Sequence, residues 1–400
     1  MRNFVRPFAT RLRALSMAPV LAVALFSPLA AAPWAGARSY KVLYNFTGGS
    51  DGGYPYLGSL VQDKAGNLYG TTSGAGSSGY GTVFKVTKSG TETVLYTFTG
   101  GADGAYPYAG LVLSGSTLYG ATEGGGSGKG DLGWGVVFEV NIETGTETVL
   151  YTFSGGSDGA TPYAGLVRDS KGNLYGTTCD GGSSNYGVVF EVVPKTKKET
   201  VLHSFDLTDG AYPCSGLTLN TTEEAVYGTA GGGSSGRYGV VFSLTIKTRT
   251  YKVLYNFTGS PDGAYPWGTL ALDPKGSLYG TTSDGGTGDY GTVFEVAPNT
   301  KKETVLYSFT ETDGDGSHPY GGVLRDKKGN LYGTTFYGGD SSYGTVFDLV
   351  KGTESVLHSF EYSDGAYPYC GLTMDSKGNL YGTTEYGGSG DYGVVWEITP

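Results

Sequence analysis

Seven aspartates open D-G turns at near-even intervals along this 400-residue chain: Asp51, Asp103, Asp158, Asp209, Asp262, Asp313 and Asp364. Close to them stand the aromatics Tyr56, Tyr108, Tyr163, Trp267, Tyr320 and Tyr369. Carboxylates attract cations and accept hydrogen bonds from hydroxyls, while aromatic faces pack against the apolar faces of sugars. Such carboxylates and rings on one rim would make a glycan-binding surface. The plainer role for each Asp is to cap its own turn. A residue repeated in every unit is architecture by default, because a reaction centre is asymmetric.

The places where the pattern breaks are the other candidates. Glu311-Thr312-Asp313-Gly314-Asp315-Gly316 expands one D-G loop by two residues, and its alternating acids resemble a calcium loop. The twelfth position from Glu311 is Gly322, where such a loop needs Glu. Metal binding there is left open beside a longer exposed turn. Lys129–Leu132, Arg237 and the Phe336-Tyr337 pair mark other altered loops. The three histidines form no metal or acid–base set. His203 and His358 each replace the same tyrosine, three units apart, and should sit far from one another on the outer wall; His318 stands alone in a loop. No H-E-x-x-H, G-x-S-x-G or G-x-x-x-x-G-K-[ST] motif occurs, so no catalytic residue and no cofactor is assigned.

These residues sit inside a repeat. L-Y-G recurs at Tyr69, Tyr119, Tyr175, Tyr227, Tyr279, Tyr332 and Tyr381, a period of 49 to 56 residues. Such a period marks a stacked or circular array. Each unit offers four short runs rich in β-branched and aromatic residues. In one unit these are Gly165–Asp169, Asn173–Thr178, Gly187–Val192 and Glu199–Phe205. Gly, 71 of 400 residues, falls in the turns between them, and nothing beyond residue 40 reads as helix. The pattern predicts an all-β, seven-bladed propeller of four-stranded antiparallel blades. The run from Tyr40 matches a fourth strand and the run to Thr399 a third, so the N-terminal strand is expected to complete the last blade. An open solenoid would need polar capping repeats, and neither end shows one. The recurrent prolines, such as Pro55 and Pro107, should fix the loops between blades. The L-Y-G glycines should admit the next blade's backbone, and phenylalanines such as Phe84, Phe138 and Phe190 should fill inter-blade cores.

Residues 1–37 differ in kind. Arg2, Arg6, Arg11 and Arg13 precede an apolar stretch from Ser16 to Ala32 and small-residue cleavage sites, the pattern of a secretory signal peptide. A membrane anchor is the alternative, but the apolar run is shorter than the ~20 residues a span needs. Without that segment the chain is one domain, 38–400, with 23 basic and 37 acidic residues, and no further span is expected. An acidic chain without a basic patch argues against nucleic acid. Of three cysteines, Cys179 and Cys214 are placed to approach each other in an oxidising compartment, and Cys370 reads as a small buried residue.

G-N-L-Y-G-T-T, Y-G-T-V-F and S-D-G-A-Y-P resemble the GloVer-type repeat of choice-of-anchor tandem repeat proteins. The resemblance spans residues 40–400. It implies an exported bacterial protein and brings no catalytic residues with it. The chain ends at Ile398-Thr399-Pro400 with neither apolar tail nor basic cluster, so free secretion or periplasmic residence is expected over surface anchoring. The reading is a monomeric, secreted, non-catalytic propeller that binds a glycan or an extracellular protein on its loop face. The alternative is a propeller lyase or glycoside hydrolase acting on polysaccharide, which would need two carboxylates across a cleft.

Overall fold

A computed structural model describes residues 38–126, 133–233 and 236–399, which contain strands and turns but no helix. The proposed signal peptide, residues 1–37, and the Lys129–Leu132 insert lie outside the described residues. Among the described residues no helix is long and apolar enough to cross a membrane.

The strands build seven four-stranded antiparallel sheets, the blades of a seven-bladed propeller. In the third blade they are Val167–Arg168, Leu174–Thr178, Val188–Val193 and Lys198–Ser204, in that order from the axis outwards. The first strand is shorter than its sequence run because Gly165 leaves the ladder and packs on the backbone of Gly110 in the neighbouring blade. Asp169 caps the following turn: its Oδ1 accepts from the Asn173 N–H at 2.8 Å, and Gly172 takes φ 97°.

Every fourth strand carries one β-bulge. In V-L-Y the leucine has no partner; Phe190 faces Val201 and Val189 faces His203, leaving Leu202 as the extra residue. Strict alternation would point residues three apart to opposite faces. The bulge rephases the strand, so Leu202 and Phe205 enter one core. Seven such cores exist, and each lies between two blades rather than within one. Phe84 and Phe138 fill them as the repeat suggests; Trp396 takes the equivalent place in the last blade.

One expectation needs correction. The L-Y-G glycines do not admit the next blade's backbone. A Cβ on Gly70 would lie 2.7 Å from the Phe84 ring and 2.8 Å from Leu60, both of its own blade. The glycine that meets the next blade is that of Y-G-T/V. A Cβ on Gly81 would reach Pro107 Cδ at 2.7 Å, and the other six repeats copy this contact. Closure uses the same contact: Gly393 meets Pro55 at 2.8 Å. The ring is clasped because Ser39–Asn45 pairs antiparallel with Val394–Thr399 as the outer strand of the last blade.

The outer joints hold an unexpected set of acids. In five of them, a glutamate opening the next blade's fourth strand faces the turn Asp: Glu92 with Asp51, Glu147 with Asp103, Glu199 with Asp158, Glu303 with Asp262 and Glu354 with Asp315. Burial, and then the nearby Asp charge, raises each of these glutamates to about 7. One carboxylate oxygen of each is buried without a hydrogen-bond partner. The other two joints carry Tyr251 and Tyr40 at this place; they stack on His203 and His358 and donate to the Asp209 and Asp364 carbonyls. The histidines are thus half-buried between blades, three blades apart.

A carboxyl whose folded pKa is raised binds its proton more tightly in the native state. Its contribution is complete below the ordinary Glu value of 4.5 and is lost as pH rises towards 7. Asp63, Asp326 and Asp375 act oppositely: burial raises them, but hydrogen bonds within their turns outweigh it, so they lose stability below 3.8. Thermal unfolding should therefore show Tm rising as pH is lowered from 8 to about 5 and falling in stronger acid. Glu→Gln at all five positions should flatten the upper limb and raise Tm at pH 8, by roughly 1–2 °C per site after solvent screening. Gly393→Ala, by contrast, should destabilise the ring by about 1–3 kcal/mol in urea unfolding, since it strains a φ of +87° and strikes Pro55.

Candidate functional site

Two families of loops cross one face of the ring: those joining the fourth strand of one blade to the first of the next, and the glycine-rich loops between second and third strands. In every blade the two are tied by a short antiparallel bridge, such as Ala160 with Asp180 or Ala264 with Asp284. In the sixth blade the bridge becomes a two-residue ladder, Gly316–Ser317 with Tyr337–Gly338.

The D-G aspartates are spent on this framework. Asp51 accepts from the Thr47 N–H at 2.8 Å, from the Thr47 hydroxyl and from the Tyr44 hydroxyl at 3.0 Å. Asp103, Asp158 and Asp262 repeat the set. Asp209 and Asp364 cap their turns and meet the histidine Nε2 atoms at 2.8 and 3.0 Å. In the sixth blade the two-residue expansion moves the role along the chain. Asp315, not Asp313, accepts from Thr310 and Tyr307, and Asp313 is left exposed at φ 55°. Among the described residues no three His, Cys, Asp or Glu side chains are grouped to hold a metal.

The aromatics behave differently. The residue before each Pro is left-handed: Tyr54, Tyr106, Thr161, Tyr212, Tyr265, His318 and Tyr367 have φ between 52° and 59°. That conformation is uncommon for residues with a Cβ and costs about 1 kcal/mol or more each. It is held by an N–H bond to a loop carbonyl of the preceding blade, such as Tyr106 to Tyr80, at 2.8–3.0 Å in all seven. The bend turns the chain inwards and delivers the residue after Pro to the mouth of the central channel. Tyr163, Tyr108, Tyr56, Tyr369 and Tyr320 form an arc there, with successive centroids 4.9, 5.1, 4.4 and 4.5 Å apart. Trp267 and Cys214 hold the two remaining places. Cys214 is disulfide-bonded to Cys179, so a flat sulfur bridge stands where a seventh ring would project. Cys370 is buried and free.

Beside the disulfide the mouth opens into a cavity of about 530 Å³, lined by Tyr56, Tyr163, Trp267, Tyr320 and Tyr369 together with Glu123, Asp180 and Asp284. That size suits a small molecule or a short oligomer segment. Two surface grooves share its walls. One continues from Trp267 and Tyr265 past Tyr212 to Tyr186 and Arg237. The other continues from Tyr56 and Tyr163 to Tyr54, Tyr108, Glu385 and Tyr386. Together they form an aromatic track across the channel mouth.

The acids of this track take the two positions after L-Y-G-T-T or its variant: Glu123 and Glu385 the first, which is Ser, Cys, Gly or Phe in other blades, and Asp180 and Asp284 the second, which is Gly or Tyr elsewhere. Burial, then the Asp180 charge, raises Glu123; burial pushes Glu385 up to about 7. Burial also acts against Asp284, but hydrogen bonds from His318 and Ser283 prevail and hold it below the ordinary carboxylate range. His318 Nδ1 lies 3.4 Å from Asp284 Oδ1 and 2.8 Å from the Ser283 carbonyl, and the Asp284 hydrogen bond raises its pKa. Sequence reasoning missed Glu123, Asp180, Asp284 and Glu385. Their signal was available as non-repeated acids at two adjacent positions of the repeat.

The sequence matches the Gloeobacter/Verrucomicrobia repeat model twice, over residues 34–235 and 219–400. The chain belongs to the Gloeobacter/Verrucomicrobia repeat family. No curated protein matches this family member's sequence. Similar solved structures include an oligogalacturonate lyase in complex with manganese, 14% identical, TM-score 0.56, covering 87% of this chain and 89% of that one. An oligogalacturonate lyase from Vibrio parahaemolyticus is 12% identical, TM-score 0.55, with the same coverage. A chain of a mitotic checkpoint complex is 14% identical, TM-score 0.56, covering 99% of both. At these identities the likeness is one of fold.

The two kinds of Asp separate by stability. Asp51→Ala should cost about 1–3 kcal/mol by removing a buried cap, whereas Asp313→Ala should stay within about 0.5 kcal/mol, both read by urea unfolding.

Proposed function

We propose that this member of the Gloeobacter/Verrucomicrobia repeat family is an exported binding propeller that takes a polysaccharide segment across its channel mouth. The observation that carries the reading is the continuous track, aromatic faces running groove–mouth–groove with carboxyls between them. Rings stack on sugar faces, carboxyls accept from hydroxyls, and the grooves leave both ends of a bound segment free to continue. The N-terminal basic-then-apolar segment and the Cys179–Cys214 bridge support action outside the cytoplasm. The wall of acids opposes a polyanion, so the oligogalacturonate named for two similar structures is a poor fit. The seven D-G aspartates are not part of this surface in our reading, because their oxygens serve the turns.

A second reading, a polysaccharide lyase or hydrolase, draws on Glu123, whose raised pKa beside Asp180 is the kind of carboxyl that donates a proton to a leaving group. A glycan array on residues 38–400, followed by calorimetry, tests both. Binding should appear for at least one oligosaccharide class and weaken at least about tenfold, or about 1.4 kcal/mol, in Trp267→Ala. Absence of any saccharide binding sinks the proposal. Product release from a bound oligomer, lost in Glu123→Gln, would move the protein to the enzyme class.

A further inference from the structure

The charges on this face are one-sided. Among the described residues, the fourteen loops crossing it carry 18 acidic residues and one basic residue, Arg237. Arg237 lies in a side groove, and among the described residues no Lys or Arg lines the central cavity. Glu123, Asp180 and Asp284 stand on the cavity wall, with Glu385 in the adjoining groove. Among the described residues only Asp284 of these four has a partner that can carry positive charge, His318. The rings around them add the same sign of attraction, since an aromatic face is the negative end of its quadrupole.

We infer that the saccharide taken at this mouth is cationic, a polymer or oligomer bearing free primary amines rather than acetamido, hydroxyl or carboxylate groups at the contacted positions. The inference rests on the binding reading above and adds the ligand's charge. An ammonium group on the sugar can lie over the Trp267 or tyrosine face while its N–H groups donate to Asp180 or Glu123. A neutral sugar would use the rings and leave the carboxyls to water. A uronate would meet four acids and, among the described residues, no Lys or Arg. A cation brought among the two raised glutamates would favour their ionised forms and so oppose the effect of burial. The excess of acids over the whole face would also steer a polycation towards the mouth, an effect that salt screens.

The test compares two probes with one backbone, a β-1,4-linked glucosamine tetramer and its fully N-acetylated counterpart, by calorimetry on residues 38–400 near pH 7, since stronger acid would protonate the raised glutamates. The amine form should bind at least about tenfold tighter, and its advantage should shrink as salt is raised. In Asp180→Asn and Glu123→Gln the ratio between the probes should fall towards one; Glu385→Gln serves if either variant loses its thermal transition. Equal affinities, or tighter binding of the acetylated form, would overturn the charge assignment. So would a neutral or acidic glycan that binds in a Trp267-dependent manner while both probes fail; in that case the mouth remains a saccharide site. If no saccharide binds at all, the binding reading falls and this inference with it.

Discussion

Everything in this molecule hangs on one joint, made seven times. The loop leaving a blade's outer strand must fold over the preceding blade's edge and hand the chain to the axis. An aspartate closes the loop, a left-handed residue donates its N–H to the neighbour's carbonyl, and the proline that follows rests on a glycine with no Cβ to obstruct it. None of these contacts is strong alone. They are mutually dependent: the strained dihedral is tolerable only because its N–H is satisfied, and the proline can dock only because the neighbour is Gly. The apolar clusters between blades then form where the joint has already set the spacing.

The joint also explains what the sequence could and could not tell. Its parts recur as words, so blades, turns and the clasped closure are legible from period and residue type. The displacement from Asp313 to Asp315 was not, because both residues read D-G and only the hydrogen bonds say which one caps. The role of L-Y-G was misassigned for a similar reason. A conserved-looking glycine says that something approaches, not what, and here it is the ring of the same blade's phenylalanine. The aromatics were visible but their meeting was not. Residues as far apart as Tyr56 and Tyr369 stack at 4.4 Å because circular order brings the first blade beside the seventh.

Repetition and function divide the molecule between them. What recurs in all blades holds the ring; the acids that differ lie at two adjacent loop positions beside the channel mouth. There the substitutions of Glu, Asp, Cys and Phe turn a near-symmetric collar into a mouth with a sulfur-flanked opening on one side and an unbroken arc of rings on the other. A propeller can vary the side chains here because what the first of these positions gives the joint is a backbone N–H, bonded in every blade to the carbonyl of the left-handed residue.

The clasp carries a consequence for how such a ring comes into being. Ser39 and Thr399 lie 360 positions apart yet share the last blade, so the earliest strand to be made is completed by the latest. Until then it has an unpaired edge, and the growing row of blades has an open flank at each end. A contact of such long range is slow to form by chain diffusion. For a chain made or threaded from its N-terminus, the natural order is a spiral of blades that grows along the sequence and snaps into a circle only at the final strand.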